Sequence, residues 1–319
     1  SGIVVDGSGG GSATITSFAG NTVHGNTVAT GIAVNAARFD ATPGGGFQTV
    51  SGGTTTIGSA GNPVGGAGMV LTNVSGDISF TDLDVYAGGG DGLQATSSGT
   101  FNAGVGTGLQ IKVAPNVGTI EATGGAAVNL NTVTTDITLA SIKSSNSTTT
   151  GVNLNAVAGV LSAGSGSSIS GTTAAATAFR VNASNATVNY GGTISATTGT
   201  GVNLTGNTGS SINFSGALTL STGANAAFTA SGGGTVTATD TSSTLVTTTA
   251  TALSVVNTTI GASGLKFRSI SAGTAGSGPS SGIVLNNTGA AGGLTVSGTG
   301  SAGSGGVIQK ATAPGISLT

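Results

Sequence analysis

The chain has 319 residues, 61 of them Gly, with 5% charged and 3% aromatic side chains, one His, one Met, no Cys or Trp, and a formal net charge of −2. Seven scattered basic residues exclude a strongly basic nucleic-acid binder, which needs a Lys/Arg surplus to neutralise phosphate. A mean hydropathy of +0.33 excludes a highly charged disordered chain. Gly, Ser, Thr or Asn interrupts every apolar run well short of the about 20 residues a spanning helix needs, and the lack of Cys removes disulfide scaffolds and thiolate metal sites.

One quartet, small–apolar–variable–apolar, recurs from end to end. In chain order it stands at Gly2–Val5, Gly31–Val34, Gly68–Leu71, Gly92–Ala95, Gly108–Ile111, Ala127–Leu130 and Gly151–Leu154. It continues at Ala178–Val181, Gly201–Leu204, Ala227–Ala230, Ala252–Val255, Gly282–Leu285 and Gly315–Leu318. Most starts lie roughly 23–30 residues apart, a solenoid period. The gap after Gly31 predicts an inserted loop near residues 36–66. The close starts at Gly92 and Gly108 predict a short or aberrant coil and an irregular stretch near residues 96–125.

Each repeat carries two further runs with period-two alternation, the mark of short strands. They are Ile78–Phe80 and Leu83–Val85 after Gly68, Val188–Tyr190 and the stretch around Ile194 after Ala178, and Ile212–Phe214 and Leu218–Leu220 after Gly201. Three strands per repeat predict an all-β, right-handed parallel β-helix of about 11–12 coils, because successive coils stack one strand spacing apart. Alternation puts Val152 and Leu154 inside and Asn153 outside. Gly is expected to supply the corners that need positive φ. Asn155, Asn182, Asn257 and Asn286 are candidates for side chains that stack on their counterparts one coil away. The whole of residues 1–319 reads as one solenoid domain. The start at Ser1 and the repeat-like opening at Gly315 lead us to expect an internal piece of a longer chain, with any targeting segment outside it.

Gly151–Leu154, Gly201–Thr205, Val74–Val85 and Gly282–Thr288 resemble the repeats of very large secreted bacterial proteins, similar in kind to autotransporter passengers and filamentous-haemagglutinin-type adhesins. The resemblance covers nearly the whole chain. It implies export, an extracellular or cell-surface location, and a stalk or filament role. The expected partners are further copies of the chain and glycans of a cell surface or matrix. No cofactor, nucleic acid or membrane span is expected in this segment.

The chemistry-bearing residues are sparse. The acids are Asp6, Asp40, Asp77, Asp82, Asp84, Asp91, Glu121, Asp136 and Asp240. Four of them fall between Asp77 and Asp91. Asp82 and Asp84 stand two apart on a strand and so share a face. With Asp91 they are the candidates for a cation site, which needs several hard oxygen ligands, or for the acid and base of a glycosidase. A lyase would add a base, for which Lys112, about one coil onward, is the candidate. The plainer reading makes these acids solvated outward positions and Gly90–Gly92 a turn. The Gly-Gly-x-Gly-x-Asp signature of calcium-binding repeat rolls is absent.

His24 lies in a turn-like context with no partner marked by spacing. Three Gly-rich runs, at residues 7–11, 44–46 and 88–90, lack the Lys and helix of a phosphate loop. Phe179, Tyr190, Phe214, Phe228 and Phe267 fall at inward positions and read as a core stack. Arg180, Lys266 and Arg268 are candidates for a small basic spot. The Asn-x-Ser/Thr triplets are what a chain rich in these residues produces by chance. The leading expectation is a non-enzymatic structural or adhesive solenoid. A polysaccharide lyase or hydrolase on the same fold is the alternative. Ice binding through Thr235–Thr237 and Thr247–Thr249 is the lesser one, because Thr is not expected to recur in register from coil to coil.

Overall fold

A computed structural model describes residues 2–9, 13–25, 27–39, 49–97 and 108–319. Among them the regular elements are twenty-nine strands with no helix, and so no helix long and apolar enough to cross a membrane. The fold is all-β, a parallel β-solenoid of about 11 turns. Its contacts divide the chain into two compact units, Ser1–Ser144 with Val152–Gly166, and Ser145–Gly151 with Ser167–Thr319.

In the first unit the quartets form one parallel ladder. Ile3, Ile32, Met69, Leu93, Val128 and Val152 stand in register, as do Val5, Val34, Leu71, Ala95, Leu130 and Leu154. From Ile32 and Val34 onward both columns are buried. A second ladder joins Ala13–Ile15 to Ala37–Phe39, and Gly76–Phe80 to Leu109–Val113. A third stacks Val23, Ile57, Val85 and Ile120, all buried. Like stacks on like because each coil repeats the alternation of the one before, and the dry columns that result supply the main stabilising term.

The second unit repeats this plan. Phe179, Val202, Phe228, Leu253, Ile283 and Ile316 share one column. Val188, Ile212, Val236 and Ile260 share another, and Ala196, Leu220, Leu245 and Ile270 a third. The expected aromatic stack is present. Phe179 meets Tyr190 and Phe214 edge to face, each at 5.2 Å between centroids, and Phe228 links Phe214 at 6.0 Å to Phe267 at 6.2 Å. Edge-to-face contact suits the ring quadrupole.

Two expectations need correction, that of a coil opening at Gly108 and that of Thr out of register. The quartet at Gly108 opens no coil: Leu109 and Ile111 pair with Gly76 and Ile78 on the second ladder, as the continuation of the coil begun at Gly92. The pattern small–apolar–x–apolar suits any inward strand and does not say which ladder it serves. Within the expected irregular stretches, Thr49–Ile57 and Leu109–Thr123 are strands paired with Met69–Ala87. Residues 40–48 and 98–107 lie outside the described residues.

Gly takes most of the positive-φ positions, as expected, and other residues take the rest. In both units the residue after the first strand of a coil is left-handed at most coils, and at Ala36, Thr132, Ala156 and Ala183 it is not Gly, with φ between 49° and 56°. Ladder bonds hold it there: Ala36 N–H donates to Thr72 O, Thr132 N–H to Asn155 O, and Ala183 N–H to Thr205 O, at 2.9–3.0 Å. They offset the strain of about 1–2 kcal/mol for an L residue in this region.

Hydroxyls, finally, do recur in register. Thr187, Ser211, Thr235 and Thr259 form one column of the second unit, and Ser195, Thr219, Thr244 and Ser269 another. A Thr-rich run alone does not show register, which depends on where each coil starts.

Small residues open the quartet for a geometric reason. A Cβ at Gly68 would stand 2.1 Å from Val85 Cγ1 and 2.6 Å from Gly92 O, where the returning third strand crosses the start of the next coil.

Candidate functional site

The outward positions of the first unit hold most of the ionisable groups between Asp77 and Lys143. On the strand Met69–Ala87, Thr81 is exposed and shifts the register between Phe80 and Asp82. Phe80 and Leu83 both point inward as a result, and Asp82, Asp84 and Tyr86 share the outer face. The one-residue slip flips the following side chains across the strand, as an unpaired residue must.

The neighbouring coil completes the arrangement. Asp84 stands opposite Thr119, and Tyr86 opposite Glu121. Thr119 N–H donates to Asp84 Oδ1 at 3.0 Å, and the Ser141 hydroxyl donates to Thr119 Oγ1 at 3.2 Å. Lys143 Nζ lies 3.7 Å from Glu121 Oε2. Partial burial, seconded by the charge of Asp82, pushes the Asp84 carboxyl above the usual carboxylate range, against the pull of the Thr119 N–H. Burial also raises the Tyr86 phenol, with Asp84, Glu121 and Asp82 adding to it. Asp82 Oδ1 is shut off from solvent and has no hydrogen-bond partner.

Asp91 is committed elsewhere. Its Oδ1 accepts Ala126 N–H at 2.8 Å and its Oδ2 accepts Asn129 Nδ2–H at 2.7 Å, while Asn153 Nδ2–H donates to Asn129 Oδ1 at 2.9 Å. The carboxylate thus terminates an amide ladder that climbs two coils. Among the described residues no three acid or His side chains gather as metal ligands, so Asp82, Asp84 and Asp91 do not meet in one set.

Lys112 does not serve Asp82 and Asp84 either. It pairs with Ser79 in register, and its Nζ lies 2.6 Å from Asp136 Oδ2. Hydrogen bonding and charge from Asp136 raise its ammonium pKa, with a smaller push from Asp77. Asp77, Gln110, Lys112, Thr134 and Asp136 line a cleft of about 200 Å³.

The remaining candidates scatter. His24 is exposed beside buried Val23. Arg180 lies on the first ladder of the second unit, opposite Asn203, whereas Lys266 lies on the second, opposite Thr295. Arg180 thus stands apart from Lys266, and Arg268 is exposed two residues after Lys266. Asn stacking holds at Asn155, which donates to Asn131 at 2.7 Å, and at Asn257, which accepts from Asn287 at 3.0 Å where Asn286 had been the candidate. Asn182 stands in register with Thr205.

Reading the sequence missed Tyr86, Thr119, Glu121 and Lys143. The alternation of Asp82, Asp84 and Tyr86 was a usable signal. The other three join only through pairing between coils, of Met69–Ala87 with Leu109–Thr123 and of Leu109–Thr123 with Val133–Ser145. No protein-family profile, no curated protein and no solved structure matches the chain.

Proposed function

We propose that this chain is a non-enzymatic structural or adhesive segment of a bacterial surface or matrix protein, displayed outside the cell as a stalk or filament. One observation carries the reading: coil after coil stacks in register, with polar side chains bonding one another from coil to coil, as in Asn189, Asn213 and Thr237 at 2.8–3.0 Å. Each coil then lengthens the solenoid with little need of charge, and its polar exterior suits many weak contacts with glycans or further copies. Electron microscopy of the native protein tests this directly; long thin rods or fibres are expected, and short discrete particles would count against it. Removal of residues 201–226, one coil, should bring Phe228 into register with Phe179 and leave a folded protein. Global unfolding of that variant would overturn the modular basis of the reading.

A second reading, a polysaccharide-active enzyme, draws support from the Asp84 carboxyl, which burial and then the charge of Asp82 hold protonated to a higher pH than usual. It requires that Asp84→Asn abolish a measurable glycan cleavage without loss of stability. The hydroxyl columns of the second unit give ice binding a lesser claim, which an absence of thermal hysteresis would remove.

A further inference from the structure

Among the described residues every Phe is buried, Tyr190 is buried, and Tyr86 alone of the aromatic residues is partly exposed. That ring does not stand in neutral surroundings. Asp84 precedes it on the same face, Glu121 faces it from the next coil, Lys143 lies 3.7 Å from Glu121, and the Thr119 and Ser141 hydroxyls continue the adjoining column. Two columns, Asp84–Thr119–Ser141, buried at its Ser141 end, and Tyr86–Glu121–Lys143, partly exposed throughout, run side by side with a step of about 4.8 Å between coils.

This combination matches the two-faced chemistry of a sugar ring. A pyranose presents C–H groups on one face, which pack on an aromatic ring, and hydroxyls around its rim, which need partners once water is displaced. Carboxylates accept from such hydroxyls, and an ammonium donates to them. The local charge is net negative, with Asp82, Asp84 and Glu121 set against Lys143, so uronic or sulfated glycans are repelled.

We propose that Tyr86, with Asp84, Glu121 and Lys143, forms a binding subsite for a neutral pyranose unit of a surface or matrix glycan. The proposal rests on the adhesive reading above and names the partner that reading leaves open. Tyr86 supplies the platform, Asp84 and Glu121 fix the rim hydroxyls, and Lys143 orients Glu121 and donates the opposing hydrogen bond.

The test uses the full chain and neutral tetrasaccharides of glucan, mannan and galactan, with tetragalacturonate as the acidic counterpart. Saturation-transfer NMR detects binding. Tyrosine fluorescence follows it, since the chain has no Trp and its other tyrosine, Tyr190, is buried. At least one neutral oligomer is expected to bind and tetragalacturonate to fail. Tyr86→Ala should weaken binding about tenfold or more, and Tyr86→Phe, which keeps the ring, by about threefold at most. Glu121→Gln should weaken it by an intermediate factor, with an unchanged circular dichroism spectrum in all three.

Binding of no neutral oligomer, equal binding of tetragalacturonate, or unchanged binding by Tyr86→Ala overturns the subsite. If the wild type still forms rods or attaches to cells in those cases, the adhesive reading stands without this site. If the oligomer binds through Tyr86 and is then cleaved, the subsite stands and the non-enzymatic reading falls.

Discussion

The first unit fills its third ladder with Val23, Ile57, Val85 and Ile120 and sets Asp77, Asp82, Asp84, Glu121, Lys112 and Lys143 on its outer faces. The second unit runs an aromatic spine from Tyr190 to Phe267 through its core, and its best-ordered outer columns are hydroxyls and amides. The same coil geometry tolerates both. The comparison separates two tasks the repeat performs: inward columns set stability, and outward columns are free to vary. Variation in the outward set, as around Tyr86, is where a solenoid can acquire a function.

The largest effect should come from the spine. Phe214 is buried and touches Phe179 at 5.2 Å and Phe228 at 6.0 Å. Phe214→Ala is expected to cost about 3–5 kcal/mol through lost burial and an uncollapsed cavity. Denaturant titration checks this, and a loss below about 1 kcal/mol would show that the rings do not act as one packed unit. Next comes the quartet glycine of the first unit. Gly68→Ala drives a methyl into Val85 and the Gly92 carbonyl and should cost about 1–3 kcal/mol by overpacking. A neutral outcome would mean that the coil closure yields, and that the small residue is not a geometric requirement.

The outer faces should respond to pH in opposite directions. Asp84 has a raised folded-state pKa, so the folded form binds its proton more tightly than the unfolded form does. The stability it contributes is present below the ordinary value of 3.8 and is lost as pH rises through the raised pKa. Asp84→Asn should therefore gain on the wild type at neutral pH, with the gain vanishing in acid. Asp6 has the reverse sign. Bonds from Ser8 and then Asn35 hold its carboxyl low, so its contribution is present above 3.8 and is lost as pH falls through the lowered pKa. Thermal melts of Asp84→Asn and Asp6→Asn from about pH 3 to about pH 8 should diverge. Parallel curves would mean that neither environment persists in solution.

Much of the fold was legible because inward alternation is a local property. Val152 and Leu154 fall inside with Asn153 between them, and Ile212, Phe214, Leu218 and Leu220 sit on strands as their spacing predicts. What was not legible depends on register between coils. Nothing local distinguishes the quartet at Gly108 from one that opens a coil. Nothing near Tyr86 announces Glu121, which reaches it across a coil of irregular length. Asp91 looked like a member of an acidic site because it is close in sequence to Asp84. It is bound instead by Ala126 and Asn129, more than thirty residues away.

The smallest expected effect concerns the corners, which both units share. Thr132 holds φ at 56° and Ala183 at 49°, where a Cβ is strained against the following carbonyl. Replacement by Gly relieves that strain and costs backbone entropy in the unfolded chain. The strain exceeds the entropy, so Thr132→Gly and Ala183→Gly should each raise stability by up to about 1 kcal/mol. Both substitutions keep the N–H that donates along the corner, to Asn155 O and Thr205 O. A pair of thermal melts decides the point. Equal gains would show that one corner geometry serves the charged and the neutral coils alike. A gain at Ala183 with a loss at Thr132 would assign the Thr side chain a role of its own, for which its contact with Asn131 Oδ1 at 3.3 Å is the candidate.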